Sequence, residues 1–249
     1  MAAYGWRPLE QDPGPGLTRT LNVSALHFAA MSSEFSQEIA NHINALVKTT
    51  YRLQAWSELL DGVNDDGEKF DIMIDFVNAP LHYGLGLPYA IEQKFIFSFN
   101  HLSHKMRLLL STSQADDLPE DRRIDEKTLK RFMGDSDVGD RLLDAITAIS
   151  SEDFSLGTMN FRNSFNHRIT PGVELGITNL VTRNVITGGT SDPFKEEMKL
   201  LDKAPLKPGE KRVVYGFGGQ SPMTLAEVVS ALKGKLKLFI PVLNATRYS

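Results

Sequence analysis

The sequence predicts a mainly α-helical fold, a bundle of about five to seven helices with a small β-hairpin or two-stranded sheet inserted between Gly172 and Gln220. Three observations carry this. Residues 21–60 contain neither proline nor glycine, and Ile39, Leu46, Leu53 and Leu60 recur every seven residues along them. Further apolar stripes at helical spacing continue to about residue 168, separated by polar turns. After Gly172 the apolar period shortens to two, the signature of extended chain.

In chain order, residues 1–18 read as a flexible lead-in, because Pro8, Pro13, Gly14, Pro15 and Gly16 interrupt any helix there. A single helical domain is expected over residues 19–249, with the β insertion near 173–220. Order starts near Leu21, and Ile43, Val47 and Trp56 widen the stripe of one long helix or two in tandem up to Leu60. Asp61 to Gly67 is a polar turn. Phe70, Ile72, Met73, Ile74, Phe76 and Val77 then suggest a short buried helix ended by Asn78 and Pro80.

Pro88 suits the first position of the next helix, where its missing N–H has no partner to lose. Ile91, Phe95, Leu102, Met106 and Leu109 follow at helical spacing. Ser113 to Glu126 is a charged surface connection. Lys127 to Met133 forms a short helix, and Val138, Leu142, Ile146 and Ile149 form another. A last helical piece spans Thr158 to Arg168, stopped by Thr170-Pro171-Gly172.

Beyond it, Val173, Leu175 and Ile177 alternate with Glu174, Gly176 and Thr178, and Val185 and Thr187 do so less regularly. These predict short strands, to be paired with Arg212 to Phe217 across a helical insertion from Pro193 to Asp202. Ser221 and Pro222 are placed as N-cap and first residue of the final helix, whose stripe runs through Leu225, Val228, Val229, Leu232, Leu236, Phe239 and Ile240. Pro241 is expected to kink or end it.

Composition narrows the function classes. With no cysteine, a disulfide framework and a thiolate nucleophile are excluded, and a reducing, cytoplasmic location is the expectation. The opening residues lack the basic and apolar regions of a secretory signal, and no uncharged apolar run approaches the ~18 residues of a spanning helix, so no membrane partner is expected. A net charge of −4 argues against gripping long duplex DNA by its phosphates.

The string Phe161-Arg162-Asn163-Ser164-Phe165-Asn166-His167-Arg168 carries the densest chemistry. Asn163 and His167 are four apart and share a helix face, whereas Arg162 lies roughly 140° round from His167. Arginine offers a planar fork for phosphate oxygens, histidine transfers protons near neutral pH, and the amide orients either one. Metal-independent RNA cleavage needs a base for the 2′-hydroxyl, an acid for the leaving oxygen and positive charge on the phosphate.

This string resembles the Arg-x(4–6)-His motif of the HEPN superfamily, small helical bundles whose catalytic members are metal-independent endoribonucleases. The polar residue directly after the arginine fits that pattern too. The resemblance covers the motif and the helical character of residues 20–170, not the strands or the last helix. It implies a homodimer with both motifs facing one cleft, acting on or binding RNA, with Arg162, Asn163 and His167 as catalytic residues and no cofactor. A dimer would supply the second imidazole, with Met159, Phe161 and Phe165 available to its interface or to the protomer's own core. The competing reading is a noncatalytic interaction protein, in which Arg162, His167 and Arg168 are cations favoured at a helix C-terminus.

Other constellations are weaker. His101 and His104 are three apart, and Glu38 and His42 four apart, so a bundle can gather them as a metal site, although separate half-buried histidines are the expectation and no metal is predicted. Glu34 and Glu38, and Glu196 and Glu197 before Asp202, lack the paired spacing of magnesium-holding helical pyrophosphatases. Gly216 to Ser221 lacks the lysine of a phosphate loop, and no histidine follows His167 to serve Ser221 as a nucleophile. Asp61 to Glu68 fails the calcium-loop register, since Gly62 falls where the first aspartate belongs.

Overall fold

The computed structural model describes residues 16–110, 116–134, 136–178, 180–187 and 207–245, with side chains described between residues 26 and 239. The chain is mainly helical with one small antiparallel sheet, the class the periodicities predict. It divides into two compact units, one of Met1–Lys48, Gly86–Ser151 and Lys235–Ser249, the other of Thr49–Leu85 and Glu152–Gly234. Among the described residues, no helix is long and apolar enough to cross a membrane.

Helix α1 is a single 45-residue element, Gly16–Leu60, beginning ahead of the expected start near Leu21. The rest of the expected lead-in, residues 1–15, lies outside the described residues. Its heptad-spaced Leu46, Leu53 and Leu60 are buried, as the stripe requires. Asp65 caps α2 (Asp66–Ile72) by accepting the Glu68 N–H at 2.8 Å. A π-helical turn, Met73–Val77, leads directly into α3, Asn78–Leu110.

Asn78 and Pro80 therefore open α3 instead of ending a helix, and Pro88 lies inside it instead of at its start. The wide π turn contains Phe76, four residues before Pro80, where the ring of an interior proline crowds the backbone. At Pro88 the lost hydrogen bond is offset by the buried Leu85, Leu87 and Ile91 around it. The expected short buried helix is also only partly buried: Met73 and Val77 are inside, while Phe70, Ile74 and Phe76 are exposed.

In the first unit, Ile96 of α3 packs with Leu129 of α4 (Glu126–Met133) and with Leu143 and Ile146 of α5 (Asp137–Thr147). Asp125 and Ser136 cap these short helices through the N–H groups of Thr128 at 2.8 Å and Gly139 at 3.1 Å. The Glu92 carboxylate accepts both the Ser150 N–H and its hydroxyl, and Lys235 donates to the Ala148 carbonyl and Ser151. The charged connection expected from Ser113 to Glu126 is, over its described residues, a loop with one 3₁₀ turn at Asp121–Arg123.

In the second unit, Gly84 of α3 leaves room for side chains of neighbouring helices. A Cβ there would lie 3.0 Å from Thr49 Cγ2 and 3.4 Å from Leu53 and Leu232. The expected helix from Thr158 to Arg168 is realised as the shorter α7 (Phe161–His167), so that Arg162 falls in its first turn, and it is preceded by a helix not expected from sequence, α6 (Glu152–Gly157). Strands β1 (Val181–Thr187) and β2 (Lys211–Phe217) form the antiparallel sheet, in register Val181 to Phe217 through Thr187 to Lys211. The insertion expected from Pro193 to Asp202 lies outside the described residues.

Val173, Leu175 and Ile177 do not form a strand. The stretch makes only single bridges, Val173 to Met223 and Thr178 to Gln220, because alternation without a continuous partner builds no ladder. The final helix α8, Leu225–Ala245, starts later than the expected Ser221-Pro222 and continues past Pro241. Its cap is reciprocal: the Thr224 hydroxyl accepts the Glu227 N–H at 3.1 Å, and the Glu227 carboxylate accepts the Thr224 N–H at 2.7 Å. The Glu174 carboxylate takes the N–H of Leu225, the first residue of the helix.

Candidate functional site

The polar string sits where α6 turns into α7. Thr158 is buried and donates its hydroxyl to the Phe154 carbonyl at 2.7 Å, closing α6. Met159 and Asn160 then both take left-handed backbone, each at φ 52°, which reverses the chain between the helices. Asparagine is among the non-glycine residues that tolerate this conformation best. The Asn160 amide oxygen accepts from the Ser155 hydroxyl at 3.2 Å and from Asn163 Nδ2 at 2.9 Å.

From that corner α7 has two unlike faces. Phe161 is buried and stacks on Phe165 with ring centroids 6.0 Å apart, and His82 of α3 tilts against both rings at 5.3 and 4.6 Å. Burial holds the His82 imidazole below the usual histidine range. Arg162, Asn163 and His167 are all exposed. The helix ends where Arg168 turns extended, its N–H on the Ser164 carbonyl at 2.8 Å.

All three nominated side chains thus stand on one short exposed helix, with Asn163 fixed through Asn160. His82 is not a second imidazole for this site. His167 lies two residues beyond Phe165, roughly 160° away round the helix from the ring that His82 touches. Sequence reasoning missed both supports. Asn160 occupies the N-cap position, yet its side chain makes no cap hydrogen bond and bonds Ser155 and Asn163 instead, and nothing in the sequence links His82 to α7.

The other histidines stay apart. His42 Nδ1 lies 2.9 Å from the Glu38 backbone carbonyl, while Lys94 donates to the Glu38 carboxylate at 2.7 Å and holds it below the usual carboxylate range. His101 tilts against Phe97 with ring centroids 4.3 Å apart and lies 3.4 Å from Asp121, and buried His104 faces Asp116 at 2.9 Å. Among the described residues, no three His, Asp or Glu side chains gather as a metal site. A cleft of ≈ 820 Å³ in the first unit, lined by Phe35, Asn41, Gln93, Lys94, Phe97 and Ile124, was not foreseen from sequence. No protein-family model, curated protein or solved structure matches the chain.

Proposed function

We propose that this protein binds and cleaves RNA as a HEPN-like, metal-independent endoribonuclease of the cytoplasm, working as a homodimer with its site on α7. The observation that carries the reading is the joint exposure of Arg162, Asn163 and His167 on one helix whose Asn163 amide is already held by Asn160. Arg162 would meet the scissile phosphate, His167 would act as general acid or base, and Asn163 would orient them.

In the reaction, the 2′-hydroxyl loses its proton to one imidazole and its oxygen bonds to phosphorus. The bond to the 5′-oxygen breaks, and that oxygen takes a proton from a second imidazole, leaving a 2′,3′-cyclic phosphate. One chain presents a single imidazole on this face of α7, so the second comes from the partner's copy across a two-fold axis. Incubating purified protein with mixed RNA in chelator, beside His167→Ala, tests this. Cleavage should fall at least about 100-fold in the variant.

Exposed Leu156, Phe165 and Ile169 around α7 favour a second reading, a noncatalytic interaction protein that uses this corner as a contact. Equal cleavage by both proteins would assign the activity to a contaminant and leave that reading in front.

A further inference from the structure

The hairpin is built inside out. Its register sets Val181 opposite Phe217, Arg183 opposite Tyr215, Val185 opposite Val213, and Thr187 opposite Lys211, so these eight side chains share one face. That face points outward: Val181, Val185 and Val213 are 55%, 50% and 43% exposed, Tyr215 67% and Phe217 90%. Arg183 and Lys211 are exposed beside them. The opposite face carries Thr182, Asn184, Arg212 and Gly216 together with Val214 and the buried Ile186. Lone exposed apolar residues are ordinary, but five on one face of two strands make a patch that marks an interaction surface. Exposed Ile177 and Leu180 extend it at the Phe217 end, where they line a hollow of ≈ 400 Å³ with Gly218 and Gly219.

Charge selects the occupant. The face bears two cations and no carboxylate, on a chain whose net charge is −4. A partner carrying negative charge pairs both cations, whereas an apolar peptide would leave both unpaired. Tyr215 and Phe217 alternate along one strand, the arrangement in which a sheet offers successive bases of a single strand its rings, with neighbouring cations left for the phosphates.

The geometry points to the outward face of the hairpin as a docking surface for single-stranded RNA, with bases on Tyr215 and Phe217 and phosphates at Arg183 and Lys211. The choice of RNA over DNA rests on the reading of α7, although the two sites share no residue.

Fluorescence anisotropy of a labelled 12-nucleotide oligouridine, in chelator and on the His167→Ala chain so that the probe survives, tests the inference. Replacing Tyr215 and Phe217 together by alanine should weaken binding at least about tenfold. Replacing Arg183 and Lys211 together by glutamine should lower the slope of log affinity against log salt by about 1.4. Tyr51→Ala, at a tyrosine 61% exposed elsewhere, should change neither. Because every replaced side chain is exposed, unchanged circular dichroism is expected throughout.

Unchanged affinity in the double variants, or no saturable binding to the starting chain, overturns the inference. So does a dimer that Phe217→Ala dissociates without RNA, which would give the face to a second copy. Equal affinity for an oligothymidine probe overturns the choice of RNA. Binding that depends on the hairpin without any cleavage by the unmodified protein would sink the α7 reading alone, whereas His167-dependent cleavage with hairpin-independent binding would sink this one alone.

Discussion

The α6–α7 corner and the β1–β2 hairpin belong to the same compact unit and differ in how they are anchored. At the corner Phe161 is buried and anchors the short helix, while Arg162, Asn163 and His167 face water beside exposed Leu156, Phe165 and Ile169. At the hairpin Tyr215 and Phe217 face water while Thr182 and Asn184 are partly covered. Alternation alone fixes neither outcome, because a period-two pattern states which residues share a face and not which face is inside. Exposed chemistry at the corner suits reaction, and exposed apolar area at the hairpin suits docking.

Stability should separate the two regions most sharply. Phe161→Ala empties a packed site and should cost about 3–5 kcal/mol. Phe217→Ala removes a ring that touches mainly solvent and should cost less than about 0.5 kcal/mol. Denaturant unfolding of both variants checks this, and comparable losses would mean that the hairpin face is packed in solution.

The backbone reversal at the corner gives a smaller effect. Asn160→Ala keeps a side chain at φ 52° while removing the amide that holds Asn163, and should cost about 1–2 kcal/mol. Asn160→Gly accepts the same backbone freely and should recover part of that loss without restoring the hold on Asn163. If orientation of Asn163 matters for cleavage, the glycine variant will fold well and cut poorly. Full activity in Asn160→Gly would remove Asn163's positioning role.

The corner also shows how far the sequence could be read. Heptad leucines placed the core face of α1 because Leu46, Leu53 and Leu60 had no competing signal, and the stop at Thr170-Pro171-Gly172 placed a helix over Arg162, Asn163 and His167 without giving their exposure. The left-handed turn at Met159 and Asn160 was hidden, since Gly157 marks only the end of α6 and the turn itself is sustained by hydrogen bonds from Ser155 and Asn163. Pro88 and Pro241 were read as boundaries by a rule about isolated helices, and α3 and α8 both run past them. His82 could not be foreseen at all, because its role depends on a contact between residues 79 and 83 positions apart.

That contact supplies the smallest expected effect, a pH dependence. Burial against Phe161 and Phe165 disfavours the charged imidazole, so the folded-state pKa of His82 lies below its unfolded value of about 6.5. Between those two values the unfolded chain binds more protons than the folded one, and stability therefore rises with pH. The contribution is complete above the unfolded pKa and is lost as pH falls toward the folded one. Melting curves of the unmodified protein and His82→Gln, compared at pH 7.5 and pH 5, should draw together at the lower pH, because glutamine has no proton to gain. Parallel curves would mean that the imidazole meets solvent freely, and that the apolar side of α7 is as open as the hairpin face it is contrasted with.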